Sequence, residues 1–169
     1  GIVSFVEHLG QNKTVLHAPP VSIAGGGMEE GLEVEVAFQY NDSYSDQIFA
    51  FVNNINTIEG GTHLTGFRTA LTRTLNNYLV TNGNGSASKE NLSGEDVREG
   101  LIAVISVRIV NPQFESQKKI KLTNTEVRGK VESMVSDRLS AFLEENPAVA
   151  KRIIAKAVDA QHARLAARK

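Results

Sequence analysis

Two periods of apolar and polar positions run along this chain, and each change of period marks an element. Ile2, Phe5, Val6 and Leu9 recur at helical spacing and Gly10 stops them, which predicts a helix over 1–10. "VSIA" (21–24) follows Pro19-Pro20 and precedes "GGGMEEG", a turn between strands. "LEVEVAFQY" (32–40) alternates. Leu32, Val34, Val36, Phe38 and Tyr40 share one face, and Glu33, Glu35 and Gln39 lie on the other, so one side of this strand meets water. Asn41-Asp42-Ser43 turns the chain into a third strand, 46–55. Over 60–79 the period lengthens: Leu64, Phe67, Leu71, Leu75 and Tyr78 step by three or four, a helix with one buried stripe. Residues 81–94 are loop by composition, and "LIAVISVRIV" (101–110) begins apolar on both faces, as a central strand does.

Thr123-x-x-Glu126 reads as a capping box, and Val127, Val131, Met134, Val135, Leu139, Phe142 and Leu143 line the helix that follows. Asn146-Pro147 signals a second start, because the amide side chain caps and Pro needs no amide partner. The last helix carries Val149, Ile153, Ile154, Ala157, Val158 and Leu165. It turns Ala/Arg-rich toward its end, so its tail is expected to project from the core. The order of elements predicts a two-layer α/β (α+β) sandwich, a four-stranded mixed sheet backed by helices. Residues 46–110 should make a strand–helix–strand crossover, right-handed by the general rule.

The 169 residues suit one domain with a helical arm: a core over 1–145 and an arm over 146–169. No apolar run approaches the ~20 residues of a membrane helix, so no membrane partner is expected. Cysteine is absent, which excludes disulfides, thiolate nucleophiles and Cys-based zinc sites. Residue 1 is Gly, which is expected to mark a boundary within a longer chain. Net charge is only -1, yet residues 1–150 carry 12 Lys/Arg against 18 Asp/Glu, while 151–169 carry six against one. The basic end is either a solvated helix face or a contact for an acidic partner or nucleic acid.

Gly61-x4-Gly66-Phe67-Arg68 is a damaged phosphate loop. It lacks the Lys and Ser/Thr that reach phosphate and magnesium, and Leu64 and Phe67 put Gly66 inside a helix that Thr62 would cap. His8, His17, His63 and His162 have no metal-ligand spacing, so no metal site is expected. "QFESQKKIKL" (113–122) is the informative stretch. Lys118, Lys119 and Lys121 stand with no acid between Glu115 and Glu126, on a loop held by a central strand and a capped helix. Gln117 adds an amide donor, and the set suits phosphate oxygens.

"FVNNINTIEGGTHLTGFRTALTRTLNNY" (51–78), "SGEDVREGLIAVISVRI" (93–109), "NPQFESQKKIKLTNTEV" (111–127) and "FLEENPAVAKRII" (142–154) resemble the B subunit of bacterial DNA gyrase, with the topoisomerase IV B-type subunit close behind. The resemblance spans essentially the whole chain and falls on the transducer domain, without the ATP-binding and magnesium-binding domains. It implies a fold like domain 2 of ribosomal protein S5, with a left-handed βαβ crossover and long C-terminal helices. It also implies a loop, Gln-Thr-Lys in the family, that reaches the γ-phosphate in the neighbouring domain. Here that loop is Gln117, Lys118 and Lys119, with Lys118 in place of the Thr.

By the same resemblance, ATP and Mg2+ serve the full subunit, whereas this piece alone is inactive. Its partners are the ATP-binding domain of the same chain, the gyrase A subunit, double-stranded DNA and a second copy of the full subunit on ATP binding, in the cytoplasm. Arg68 and Arg73 are the long cations on the Thr/Asn face of the 60–79 helix and are the candidates to face transported DNA. Five residues apart, they point about 140° apart. The rival reading is an S5-like module that binds nucleic acid without catalysis.

Overall fold

A computed structural model of the chain describes residues 1–82, 90–116, 119 and 121–168. In chain order the elements are α1 (Ile2–Leu9), β1 (Val21–Gly27), β2 (Leu32–Tyr40), β3 (Gln47–Val52), β4 (Ile55–Asn56), α2 (Thr62–Asn82), α3 (Gly94–Arg98), β5 (Leu101–Ile109), α4 (Thr125–Glu145) and α5 (Pro147–Ala167). Among the described residues the strands form one sheet in the order β1-β2-β5-β3-β4. β1 and β2 are antiparallel to their neighbours along the sheet, and β3 runs parallel to β5. The chain between β3 and β5 passes through α2 and α3, which is the expected crossover.

The sheet has one more strand than expected. The run 46–55 breaks at Asn53 and Asn54, both with positive φ, and returns as the two-residue β4. Asparagine tolerates that backbone region better than most residues, which is why the turn falls there. β1 is longer than "VSIA", because Gly25–Gly27 continue the strand and the turn begins at Met28. Gly25 has a packing reason: a Cβ there would lie 2.5 Å from Met134 Cγ of α4.

The alternation of β2 sorts its side chains onto two faces as read, except that Gln39, expected at water, is buried and donates to His17 C=O at 2.8 Å. Leu32, Val34, Val36, Phe38 and Tyr40 join the main core with Leu101, Ala103, Ile105 and Val107 of β5, beneath α2, α4 and α5. β5 lies between β2 and β3, so its first half is covered on both faces. The second cover is α1, which places a third layer over one end of the sheet where a two-layer sandwich was expected. Val6 packs on Ala37, Ile102 and Val104, and Phe5 meets Phe49 edge-on at 5.4 Å. Beyond α1 the same face carries Glu33 and Glu35 of β2 and Arg108 of β5, with Glu35 and Arg108 exposed. This is the wet side that the alternation predicts.

α5 does not project. Ala150, Ile153 and Ala157 belong to the main core, and Gln161 is buried against the Glu90 and Asn91 carbonyls at 2.8 and 3.2 Å. Three of the cations at the chain's end are met within the molecule. Arg164 grips Asp96 through two bonds of 3.0 Å, Lys156 reaches Glu99 at 3.4 Å, and Arg168 reaches Glu90 at 3.5 Å. The acidic partner considered for this segment is, for these three cations, the chain's own 90–99 stretch. That stretch holds the real capping box. Ser93 Oγ accepts from the Asp96 N–H, and Asp96 Oδ2 accepts from the Ser93 N–H. Burial of Asp96 opposes its charge, but the Arg164 and Ser93 hydrogen bonds outweigh it and hold the carboxyl below the usual range.

Candidate functional site

The lysine stretch is a hairpin. Thr123 N–H donates to Gln113 C=O at 2.8 Å, Glu115 N–H to Lys121 C=O at 3.0 Å, and Lys119 N–H to Ser116 C=O at 3.2 Å. Phe114 and Leu122 face each other as a bridge midway along it. Leu122 also runs parallel to Gly61: its N–H donates to Gly60 C=O and its C=O accepts from Thr62 N–H, both at 3.1 Å. The hairpin is therefore fastened to the entry of α2. Gly61 permits the approach, because its φ is +137° and a Cβ would collide with the Leu122 backbone. Leu122 is 1% exposed and belongs to the main core, so the neck is anchored by apolar burial as well. Removing such a side chain from water contributes about 1.5–3 kcal/mol.

At the tip, Lys119 is exposed and its backbone is left-handed, φ +55°. Such a conformation is uncommon for a residue other than Gly, Asn or Asp and concentrates at functional positions. Among the described residues its ammonium has no hydrogen-bond or ion-pair partner. Lys121 is different: it leans on Glu115 across the hairpin at 3.9 Å. Gln117 and Lys118 lie outside the described residues.

The neck is closed by Asn124, 2% exposed. Its Oδ1 accepts from Gln113 N–H at 2.5 Å, and its Nδ2 donates to Asn111 C=O at 3.2 Å and to Glu126 Oε1 at 2.8 Å. This overturns the Thr123-x-x-Glu126 capping box. α4 starts at Thr125 with Asn124 as its flanking residue, and Thr123 spends its amide on Gln113. The hydrogen bond from Asn124 holds the Glu126 carboxyl below its ordinary pKa. Asn146 likewise caps backwards, since its Nδ2 donates to Phe142 C=O at the end of α4. Thr62 does not cap α2 through its side chain either, because its hydroxyl is enclosed without a partner.

Beside the neck lies a cleft of about 300 Å³ lined by Glu59, Thr62, Thr65, Arg68, Lys121 and Thr123. Arg68 is exposed at its edge. Burial first and Arg98 second lower its pKa, and Asp46 raises it. Arg73 points elsewhere, as the helical angle requires. It donates to Glu132 Oε1 at 2.6 Å and to Ser136 Oγ at 2.9 Å on α4. Gly66 is inside α2, as its phase implied, and no phosphate loop forms.

Two histidines are structural. The Tyr40 N–H donates to His17 Nε2 at 3.0 Å. His63 shares a 3.1 Å bond with Thr57, whose hydroxyl is already donated to Ala50 C=O. His63 Nε2 therefore carries the proton and Nδ1 is left bare in the interior. Burial pushes His63 down to about 4. Among the described residues no group of His, Asp or Glu is placed to hold a metal ion, and no helix is long and apolar enough to cross a membrane.

This architecture is shared with ATP-binding fragments of bacterial topoisomerases. The 43K ATPase domain of Thermus thermophilus gyrase B superposes with a TM-score of 0.90 at 40% identity, over 99% of this chain and 44% of that one. The topoisomerase IV ATP-binding domain of Francisella tularensis follows at 0.81 and 28% identity, over 98% of this chain and 43% of that one. The DNA gyrase B family model matches residues 1–169, and the chain belongs to that family. The DNA gyrase B protein of Myxococcus xanthus is 55% identical and that of Clostridium acetobutylicum 53%, each across all of this chain. The chain spans 20% and 26% of the length of these two relatives.

Proposed function

We propose that this chain is the transducer domain of an ATP-dependent type IIA DNA topoisomerase, the B subunit of a DNA gyrase. In this reading Lys119 senses the γ-phosphate of a nucleotide held by the neighbouring domain. The observation that carries the reading is the exposed Lys119 ammonium, without a partner among the described residues, on a hairpin rooted in the core. Bound ATP with Mg2+ supplies a terminal phosphoryl group rich in negative charge. The tip fits such a group. Lys119 offers a mobile cation, and Gln117 and Lys118 are the neighbouring donors in the sequence.

Lys119 makes its contact only while the γ-phosphate is attached, so its binding differs between two states and biases the domain arrangement. The hairpin passes that bias to α2 through Gly60–Thr62 and to α4 through Asn124. Arg68, exposed at the open cleft beside the neck, would meet the phosphates of passing DNA in this reading. The partners this reading requires are the gyrase A subunit, double-stranded DNA and a second copy of the full gyrase B chain.

In the full-length chain, Lys119→Ala is expected to lower ATP hydrolysis about 100-fold. It should also abolish nucleotide-driven domain closure, followed by distance labels across the two domains. Hydrolysis and closure at unaltered levels refute the reading.

A further inference from the structure

We infer that Asn124 is the positioning residue of the lysine hairpin, the clasp that makes tip and α4 move as one. The inference rests on Lys119 being the phosphate contact. Two parts of the chain meet at this one side chain, the outgoing segment 111–113 through its backbone and the first turn of α4 through the Glu126 carboxylate. Its oxygen takes the Gln113 N–H at the outgoing side of the hairpin, and its nitrogen gives to Asn111 C=O at the end of the segment leaving β5. The same nitrogen gives to Glu126 in the first turn of α4. The backbone of Asn124 completes the joint, since its C=O accepts the Val127 N–H at 3.3 Å as α4 begins.

Both polar atoms of the side chain are engaged and the residue is 2% exposed, so Asn124 itself is shielded from water although Asn111, Gln113 and Glu126 are exposed. The alternative route from tip to body, Leu122 against Gly60–Thr62, leads to α2. Asn124 is thus the polar link from the hairpin to α4. No shorter or longer side chain reproduces it. Serine brings one polar atom where Asn124 uses two, and glutamine adds a methylene at a position that is 2% exposed. Lys119 must sit within a fraction of an ångström of a phosphate oxygen to act, and an unclasped neck lets the tip wander.

The test is a double-mutant cycle on ATP hydrolysis in the full-length chain. Lys119→Ala is expected to cost about 100-fold. Asn124→Ala should lower kcat about tenfold with KM for the nucleotide altered less than about twofold. In the Asn124→Ala background, Lys119→Ala should cost only about tenfold more, because a misplaced lysine has less to lose.

Asn124→Asp keeps an acceptor for Gln113, loses the donors and sets a second carboxylate beside Glu126. Its activity should lie between the two and recover as the pH falls from about 8 to about 5.5, where a shared proton restores a donor. It also carries the cycle if the alanine variant does not fold. A full 100-fold Lys119 penalty in the altered background makes Asn124 a fold residue only and overturns the inference, as does a silent Asn124→Ala. A silent Lys119→Ala in the unaltered chain overturns the phosphate reading itself, and Asn124's role with it.

Discussion

His63 shows how one side chain ties acidity to folding. Its ring is fully buried, donates to Thr57 and leaves Nδ1 bare, so the neutral form alone fits. Its pKa of about 4 lies below the ~6.5 of an unfolded chain. The stability it contributes is whole above pH 6.5 and is lost as the pH falls toward 4, about 3 kcal/mol in all. His17 acts in the same direction: burial lowers its pKa foremost, the Pro19 carbonyl opposes that, and Arg152 adds to it. Urea unfolding at a series of pH values should show His63→Phe losing about one proton of slope across that window. An identical slope in both proteins would mean that His63 is not held neutral. Nothing in the sequence marked His63 as buried, because Thr-His-Leu at a helix start has the pattern of an exposed first turn. The glycine pair before it was legible as a turn, but its partner Leu122 lies sixty residues away. Phe114 and Leu122, equidistant from residue 118, were the local sign of a hairpin.

Elements set by a long period were readable: β2, β5, α2 and α4 stand close to where their patterns place them. Caps were less so, because three or four residues of local pattern yield to any tertiary demand on the same groups. Thr123 lost its box to the hairpin, and Ser93 kept one inside a stretch whose composition reads as loop. The α2–α4 pair has a contrast that only geometry supplies. At Gly66 a Cβ would lie 2.6 Å from Arg128 C=O, whereas at Gly129 a Cβ meets nothing within 4 Å. Both positions are helical, and alanine gains about 1 kcal/mol of helix propensity at each. At Gly66 the obstacle is backbone and cannot step aside, so overpacking of about 1–3 kcal/mol exceeds that gain. Thermal unfolding should therefore show Gly66→Ala melting lower and Gly129→Ala melting higher than the parent. The same sign for both would mean the helices are looser than drawn.

For the whole molecule, the lopsided charge of the sequence is resolved by folding. Lys156 and Arg164 of α5, with Arg168 just past its end, close on the acids of 90–99, and Asp96 carries both a helix cap and a two-pronged Arg164 bond. Arg164→Ala strands a buried carboxylate and should lower Tm by roughly 5 °C, where Lys151→Ala on the exposed side of α5 should leave it unchanged. Calorimetry decides: equal melting of the two variants would make the pairing incidental. Composition showed two charge blocks but not their meeting, which depends on the return of α5 across α3.

Leu122 belongs at once to the interior and to the base of an exposed cationic finger. Strain applied at the fingertip is borne by the cohesion that lets the protein withstand heat. On the proposed reading, alertness to a distant phosphoryl group and endurance are thus one mechanical property, and neither can be adjusted alone.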